Sequence, residues 1–439
     1  MKARTYKLHH TTIAGMLMLA LCAASCKKNY TDPSGPPSDQ VFKSAIALTD
    51  VAVGLQNWYT ATRAGVVYNT ITADALLTNQ LYVVNAGNTD EAQLGTGGGT
   101  VQNTNSIITG LWSVCNKIIY DADSVIGQTG RIVTDKNYAS GIIAYTSIFK
   151  ALAIGDMAMF WEQVPAGIAD TLGVSNVSFV TNTQGYLNAI AVIDNALSVV
   201  SANAISSSFL NNIPKGSVDI VNTLYALKAR YSLLAGNYAA ALTAAGNVNL
   251  TVKSVFAYNT LTTNPIFTLA TSTNNIYQPV DSAMGLPAGL QPSLNDKREP
   301  FYISISVSPR FRINGFFNST TASIPVYLPG EIILIKAECY ARQNDLINGL
   351  DQLNIVVTKQ PSADPFGVGA GLPGTATTGQ ADLLTQIYKH RCIELFMSGL
   401  RLSDQRRFGR PTAERKRSYL PYPFVERNGN KNTPGDPLF

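Results

Sequence analysis

Histidine is almost absent from this chain of 439 residues, and the position of each of the three matters more than their number. His9 and His10 precede a short apolar run, so His390 is the single histidine of everything that follows. A histidine-dependent triad or a histidine-built metal site would have to rest on that one residue. Cysteine is scarce too: Cys22, Cys26, Cys115, Cys339 and Cys392, with no Cys-x-x-Cys pair. Zinc and thioredoxin-type readings therefore fail. Three scattered thiols beyond Cys26 allow at most one disulfide and read as small buried hydrophobes. Charge is sparse, with 14% Asp, Glu, Lys and Arg and a formal net charge of +5. Three of those positive charges, Lys2, Arg4 and Lys7, lie in the first 25 residues, which hold no acid, so the rest carries +2. That balance gives no argument for nucleic acid as a partner. Beyond Ala24 no stretch reads as long and apolar enough for a transmembrane helix. Gly95–Thr100 lacks the Lys-Ser/Thr of a phosphate loop and reads as a plain loop. No Asp-x-Asp-x-Asp-Gly loop supports calcium, so Asp74, Asp90 and Glu91 read as surface charge. No cofactor or metal is expected.

What the chain does have begins at its start. Lys2, Arg4 and Lys7 are followed by an apolar run from Ile13 to Ala24 and then Ser25 and Cys26. A basic start, a greasy middle and small residues at the cut form a secretory signal, too short to span a bilayer comfortably. Cys26 after Leu21-Cys22-Ala23-Ala24-Ser25 resembles a bacterial lipobox, with Ala23 where Leu is more usual. Lipidation of Cys26 is favoured over a plain secreted product, since two or more acyl chains hold a protein on a membrane. Residues 27–40 are polar, with Pro33, Pro36 and Pro37, and read as a tether. The expected organisation is a signal over 1–25, a lipidated Cys26 and tether over 26–40, and one body over 41–439.

The body reads as mainly α. Helices are expected over Ser44–Ala61, Ile107–Ile126, Tyr138–Trp161, Tyr186–Val200 and Thr223–Ala235. The last of these breaks at Gly236-Asn237 and resumes over Tyr238–Ala245; Glu331–Gln343 breaks at Asn344-Asp345 and resumes over Leu346–Val357. Gln380–Leu400 reads as one long final helix. Residues 249–330 are rich in Thr, Asn, Pro and Gly, with room for a small hairpin or two, and Gly367–Gly379 reads as too floppy to pack.

The segments Leu224–Leu242 and Glu331–Leu353 share a construction: two helices, small residues such as Ala226, Ala229, Ala337 and Ala341 for close approach, and a short polar turn. They resemble tetratricopeptide-type hairpins, without a strict 34-residue period. The run Arg391–Gly409 carries Arg391, Glu394, Leu395, Gly399, Arg401, Asp404, Arg407 and Gly409. It resembles the hallmark of the SusD/RagB family, with Ser398, Gln405 and Phe408 where Glu, Leu and Trp are usual. Cys26–Tyr30, Leu111-Trp112 with Asn116 and Ile119, Ile324–Val326 before Gly330–Leu334, and Leu420–Pro423 before Glu426 and Asn428 agree in the same order.

The resemblance implies a SusD-like lipoprotein on the outer surface of the outer membrane of a Bacteroidetes cell. It implies capture of oligosaccharides, or in RagB-like members peptides, for import by a SusC-like TonB-dependent transporter, without cleavage. A surface glycoside hydrolase and a helical-repeat adaptor that binds only proteins are the rivals. Arg391, Glu394, Arg401 and Asp404 read as a structural clasp, with Arg391 and Glu394 placed for an i,i+3 ion pair. Arg401–Arg417 reads as a solvated face or helix end. Sugar rings need flat aromatic faces and amide partners. Tyr68, Tyr82 and Tyr277, set among Asn69, Asn79, Gln80, Asn85, Asn274, Asn275 and Gln278, are the candidate ligand contacts, while Trp112 and Trp161 read as core.

Overall fold

A computed structural model describes residues 42–167, 176–273, 275–307 and 310–439. Residues 44–439 form one compact unit. The signal, Cys26 and the tether lie outside the described residues.

The helices of seven residues or more are α1 (Ala45–Thr60), α2 (Val66–Leu77), α3 (Thr89–Thr96), α4 (Ser106–Ile132), α5 (Lys136–Phe160), α6 (Asn182–Ala202), α7 (Ile220–Leu234), α8 (Tyr238–Gly246), α9 (Pro329–Arg342), α10 (Leu346–Thr358), α11 (Gln380–Glu394) and α12 (Arg401–Arg407). Their starts are written in short polar side chains that accept from orphan helix N–H groups. Ser44, Asn105, Asp135, Thr181, Asp219, Asn237 and Asp345 cap α1, α4, α5, α6, α7, α8 and α10. The two expected hairpins are present. Gly236 and Asn344 take positive φ (78° and 64°), which turns the chain, and the next residue caps the returning helix.

Strands are short and lie in four antiparallel pairs: β1 (Leu81–Val83) with β5 (Tyr277–Pro279), β2 (Gln163–Pro165) with β3 (Phe179–Thr181), β4 (Val255–Phe256) with β8 (Ile324–Pro325), and β6 (Ile303–Val307) with β7 (Arg310–Ile313).

Helix α5 is the spine. It packs against α1, α4, α6 and α7, and Gly141 and Gly155 leave room on it for the rings of Phe209 and Tyr231. Contrary to expectation, α5 and α6 are long and apolar enough to cross a membrane; most of the apolar stretch of α5 (83%) is buried inside the protein, the signature of a core helix.

Four further expectations are corrected. Every residue of α2 is buried, so it shows no polar face and was missed as a helix. The final long helix stops at Glu394; Met397 and Gly399 take φ of 57° and 82°, and α12 starts afresh at Arg401. Gly367–Gly379 packs rather than flops: Val368 and Ala370 have no exposure, and the Gly371 and Leu372 N–H groups donate to Lys359 and Val357 carbonyls at 2.9 and 3.0 Å. Asp74 and Glu91 are fully buried, not surface charges.

The last residues close the core. Trp112 and Trp161 meet edge to face at 4.8 Å; their indole N–H groups donate to a Glu426 carboxylate oxygen (3.1 Å) and the Pro421 carbonyl (3.0 Å). Both tryptophans are core, as expected. Cys115, Cys339 and Cys392 are buried free thiols.

Candidate functional site

An open groove of about 390 Å³ lies where α1 ends and the chain turns into α2. Asn57, Thr62 and Arg63 form one lip; Leu261, Thr262, Thr263, Pro265, Thr268 and Leu269 form the other. Several independent constraints build it. Thr62 holds φ at 62°, an unusual conformation for a β-branched residue and one that clusters at functional sites. The far wall runs into a π-helical turn, Phe267–Thr271, another geometry enriched at such sites. Buried Asn264 anchors that wall: its amide donates to the Phe316 and Ala322 carbonyls at 2.9 and 2.8 Å, and its carbonyl oxygen accepts from Ile266 and Phe267 N–H. The Tyr258 hydroxyl ties the walls together by donating to the Thr60 carbonyl at 3.1 Å.

Arg63 is the charged group of the groove. One terminal nitrogen, Nη2, donates to both oxygens of Glu91, at 2.6 and 2.7 Å. Arg63 is 43% exposed and Glu91 has no exposure. Behind Glu91, the Tyr68 hydroxyl donates to Oε1 at 2.9 Å. Burial, then the nearby Tyr277 and Glu91, push the Tyr68 phenol far above its ordinary range, so it stays a donor. The guanidinium is thus held through Nη2 alone, with Nη1 and Nε making no hydrogen bond among the described residues. A fixed planar donor of this kind suits paired hydroxyls or a carboxylate.

The three tyrosines expected as ligand contacts part ways. Tyr68 and Tyr277 have no exposure and offer no ring face to a ligand; Tyr277 meets the Thr72 hydroxyl at 3.2 Å. Tyr68 is core because α2 is core, and Tyr277, on β5, reaches α2 through Thr72. Tyr82 is 42% exposed on β1, its hydroxyl donating to Gln278 at 3.1 Å.

The C-terminal motif is an interior ion-pair network with a different pairing from the expected one. Arg391 forks onto Asp404 at 2.8 and 3.0 Å rather than onto Glu394. Glu394 instead takes Arg298 (3.0 Å) and Lys359 (2.7 Å). Arg401 donates to the Met284 and Cys392 carbonyls at 2.7 and 2.9 Å and holds no carboxylate. The basic run is a helix end rather than a solvated face: Arg406 and Arg407 lie in the last turn of α12, Arg401 and Arg417 are 4% and 5% exposed, and Arg407 forks onto Glu338. Burial alone would raise the Glu338 carboxyl; Arg407, Arg391 and Arg342 overcome it and hold it at about 2. His390 is buried beside this network. Its Nδ1 lies 2.9 Å from Arg298 Nη2, and burial, then Arg298, push its pKa well below the ordinary value, so the neutral ring accepts there.

No protein-family model matches the sequence, and no curated protein matches it. Solved structures do. A SusD superfamily protein from Bacteroides fragilis superposes with a TM-score of 0.70 at 16% identity, covering 89% of this chain and 99% of that one. A SusD-like carbohydrate-binding protein from B. fragilis gives 0.69 at 14%, covering 90% and 99%. A laminarin-binding SusD-like protein gives 0.63 at 16%, covering 90% and 100%. The chain has the SusD fold.

Within the SusD-like body, sequence reasoning found the C-terminal motif but missed Asn57, Arg63 and the wall over 261–269. The signal was thin: Thr62-Arg63-Ala64-Gly65 sits just past the expected end of the first helix, where a loop displays its side chains.

Proposed function

We propose that this protein captures glycans at the cell surface for import and does not cleave them. The observation that carries the reading is Arg63, a planar donor fixed at the lip of an open groove by a buried carboxylate and rimmed by Asn57 and threonines. Amide, hydroxyl and guanidinium groups are the donors and acceptors that sugar hydroxyls need. None of the groove's lining residues is Asp or Glu. Glycoside cleavage ordinarily calls for a pair of carboxyl groups flanking the bond, so the lining favours holding over cutting. The SusD fold and the carbohydrate-binding neighbours that share it support the same reading.

In this proposal Cys26 carries the lipid that fixes the chain to the outer membrane, and a SusC-like TonB-dependent transporter receives the captured oligosaccharide. The decisive experiment is titration of the soluble chain from Lys27 onward with a polysaccharide panel that includes laminarin, with assay of reducing ends. Saturable binding without new reducing ends, weakened in Arg63→Lys and abolished in a folded Arg63→Ala, is the expected result. New reducing ends would overturn the non-catalytic reading. Binding of a peptide library in place of every glycan would move the assignment to peptide capture. Acylation is tested separately: Cys26→Ser should release the protein from the membrane fraction.

A further inference from the structure

Away from the Arg63 groove, a cleft of about 220 Å³ is lined by three arginines and, among the described residues, by no Asp or Glu. It lies where the end of α9, one face of α11 and the end of α12 meet. Arg342 closes α9, Arg407 closes α12 and Arg410 follows three residues later; Thr385, Tyr388 and Phe408 line the cleft with them. Thr385 and Tyr388 stand at i and i+3 on α11, so one helix face forms a wall. Aromatic rings seat the guanidiniums: Arg342 and Arg407 lie 5.0 and 5.2 Å from the Phe408 ring centroid, and Arg410 lies 5.2 Å from that of Tyr388. Acids outside the lining hold them. Arg342 Nε and Arg407 Nε donate to Glu338 Oε1 at 2.7 and 2.8 Å, and Arg407 Nη2 donates to Glu338 Oε2 and Asp404 Oδ1 at 2.9 and 2.7 Å. Arg410 forks onto Glu414.

These acids do not use up the cations. Arg342, Arg391 and Arg407 share the two carboxylates Glu338 and Asp404, which leaves one positive charge of that network unbalanced. Donors are left over as well. Among the described residues Nη1 of Arg342, Arg407 and Arg410 makes no hydrogen bond, and for Arg407 that nitrogen is buried. The Tyr388 hydroxyl is a second buried donor without a hydrogen-bond partner at this cleft. Burial, then the nearby Cys392 thiol, push its phenol far above the ordinary range, so it keeps its proton. Unsatisfied buried donors gathered at one cleft call for an acceptor, an ion or a water.

We propose that this cleft binds a tetrahedral oxyanion, phosphate or sulfate, as the free ion or as a monoester. Guanidinium edges match the oxygens of such groups and stay charged at any working pH. A planar carboxylate is filled by a single fork, whereas donors arriving from α9, from α11 and from beyond α12 need oxygens in more than one plane. The cleft shares no lining residue with the Arg63 groove, so it stands or falls without the glycan-capture reading.

The test titrates the chain from Lys27 onward with sodium phosphate, sodium sulfate and glycerol 3-phosphate, by calorimetry and by melting, against sodium acetate and sodium chloride at matched ionic strength. Phosphate and sulfate should give saturable heat and a rising melting temperature, since a ligand that binds only the folded state stabilises it. Acetate and chloride should do neither. Arg410→Gln should weaken phosphate binding about tenfold, and Arg410→Lys should recover part of that loss. Arg410 and Glu414 are 25% and 16% exposed, so both variants keep the fold, which melting in chloride checks. Tyr388→Phe removes a hydroxyl that the protein leaves without a hydrogen-bond partner. It should melt as the wild type does in chloride and lose part of the rise that phosphate brings. Tighter binding of glycerol 3-phosphate than of the free ion would assign the cleft to a phosphate ester, and the reverse order to the free ion. Equal shifts with acetate or chloride would overturn the site in favour of general screening. Saturable phosphate binding unchanged in Arg410→Gln would place the anion elsewhere and overturn it, as would the absence of a saturable response to either ion.

Discussion

Arg63 and Glu91 are a mismatched pair: a cation nearly half in water is gripped at 2.6 and 2.7 Å by a carboxylate with no exposure. The buried partner serves the exposed one by fixing where its free edge points. Glu91→Gln removes the charge but keeps the size and one acceptor. It should weaken glycan binding severalfold while costing about 1–3 kcal/mol of stability, the scale of a lost hydrogen bond to a charged group. Calorimetry and melting on the same samples check this. Unchanged affinity would show that Arg63 does not need holding.

The Arg391–Asp404 fork makes a different prediction, about stability alone. Arg391→Leu would leave Asp404 and its neighbour Glu338 short of a buried countercharge. Breaking a buried pair from one side costs roughly 3–5 kcal/mol. Denaturant unfolding should show that loss, and whatever remains folded should bind glycan as the wild type does. Lost binding at unchanged stability would mean the motif touches ligand.

Gly330 gives a sharper steric test. A Cβ there would fall on the Glu394 carboxylate, which is already committed to Arg298 and Lys359. Gly330→Ala should destabilise by about 3 kcal/mol, the upper end of overpacking costs, whereas Gly127→Ala, on the open side of α4, should be neutral or mildly stabilising. Equal melting temperatures for the two variants would contradict the packing described here.

Two buried carboxyls slope stability in opposite directions. Burial raises Asp156 to about 7 from its ordinary 3.8, against the Tyr59 hydrogen bond and Arg230. Its contribution is therefore full below pH 3.8 and lost as pH rises through about 7. Glu338, held at about 2 against an ordinary 4.5, contributes fully above pH 4.5 and loses that as pH falls towards 2. Asp156→Asn should remove the first slope only. Its melting temperature relative to wild type should climb from pH 4 to about pH 7 and then level off, and a constant difference would refute the assignment.

Much of the helical frame was legible because amphipathic period and capping residues are local. Ser44, Asn237 and Asp345 announce helix starts without help from the rest of the chain. What failed to show was what depends on distant neighbours. Helix α2 is buried on all sides and has no periodic face, so Tyr68 looked like a loop tyrosine when it is core. Arg391 and Glu394 have the right spacing to pair. Yet Asp404, Arg298 and Lys359 outcompete that contact, from α12 and two more distant segments whose arrival no spacing rule reveals. The groove is hidden for the same reason: its lips are separated by some two hundred residues of sequence, linked by Tyr258 and Thr60 (|i−j| of 198).

The ties of Trp112 to Glu426 and of Trp161 to Pro421 span 314 and 260 residues. A ribosome making this chain releases both indoles long before their partners exist. Neither indole finds this partner until residues 421–426 have been made. Contacts of such separation slow folding. They also make the packing around both indoles depend on residues 421–426, so loss of that short segment would expose polar groups and rings more than 250 residues away from it.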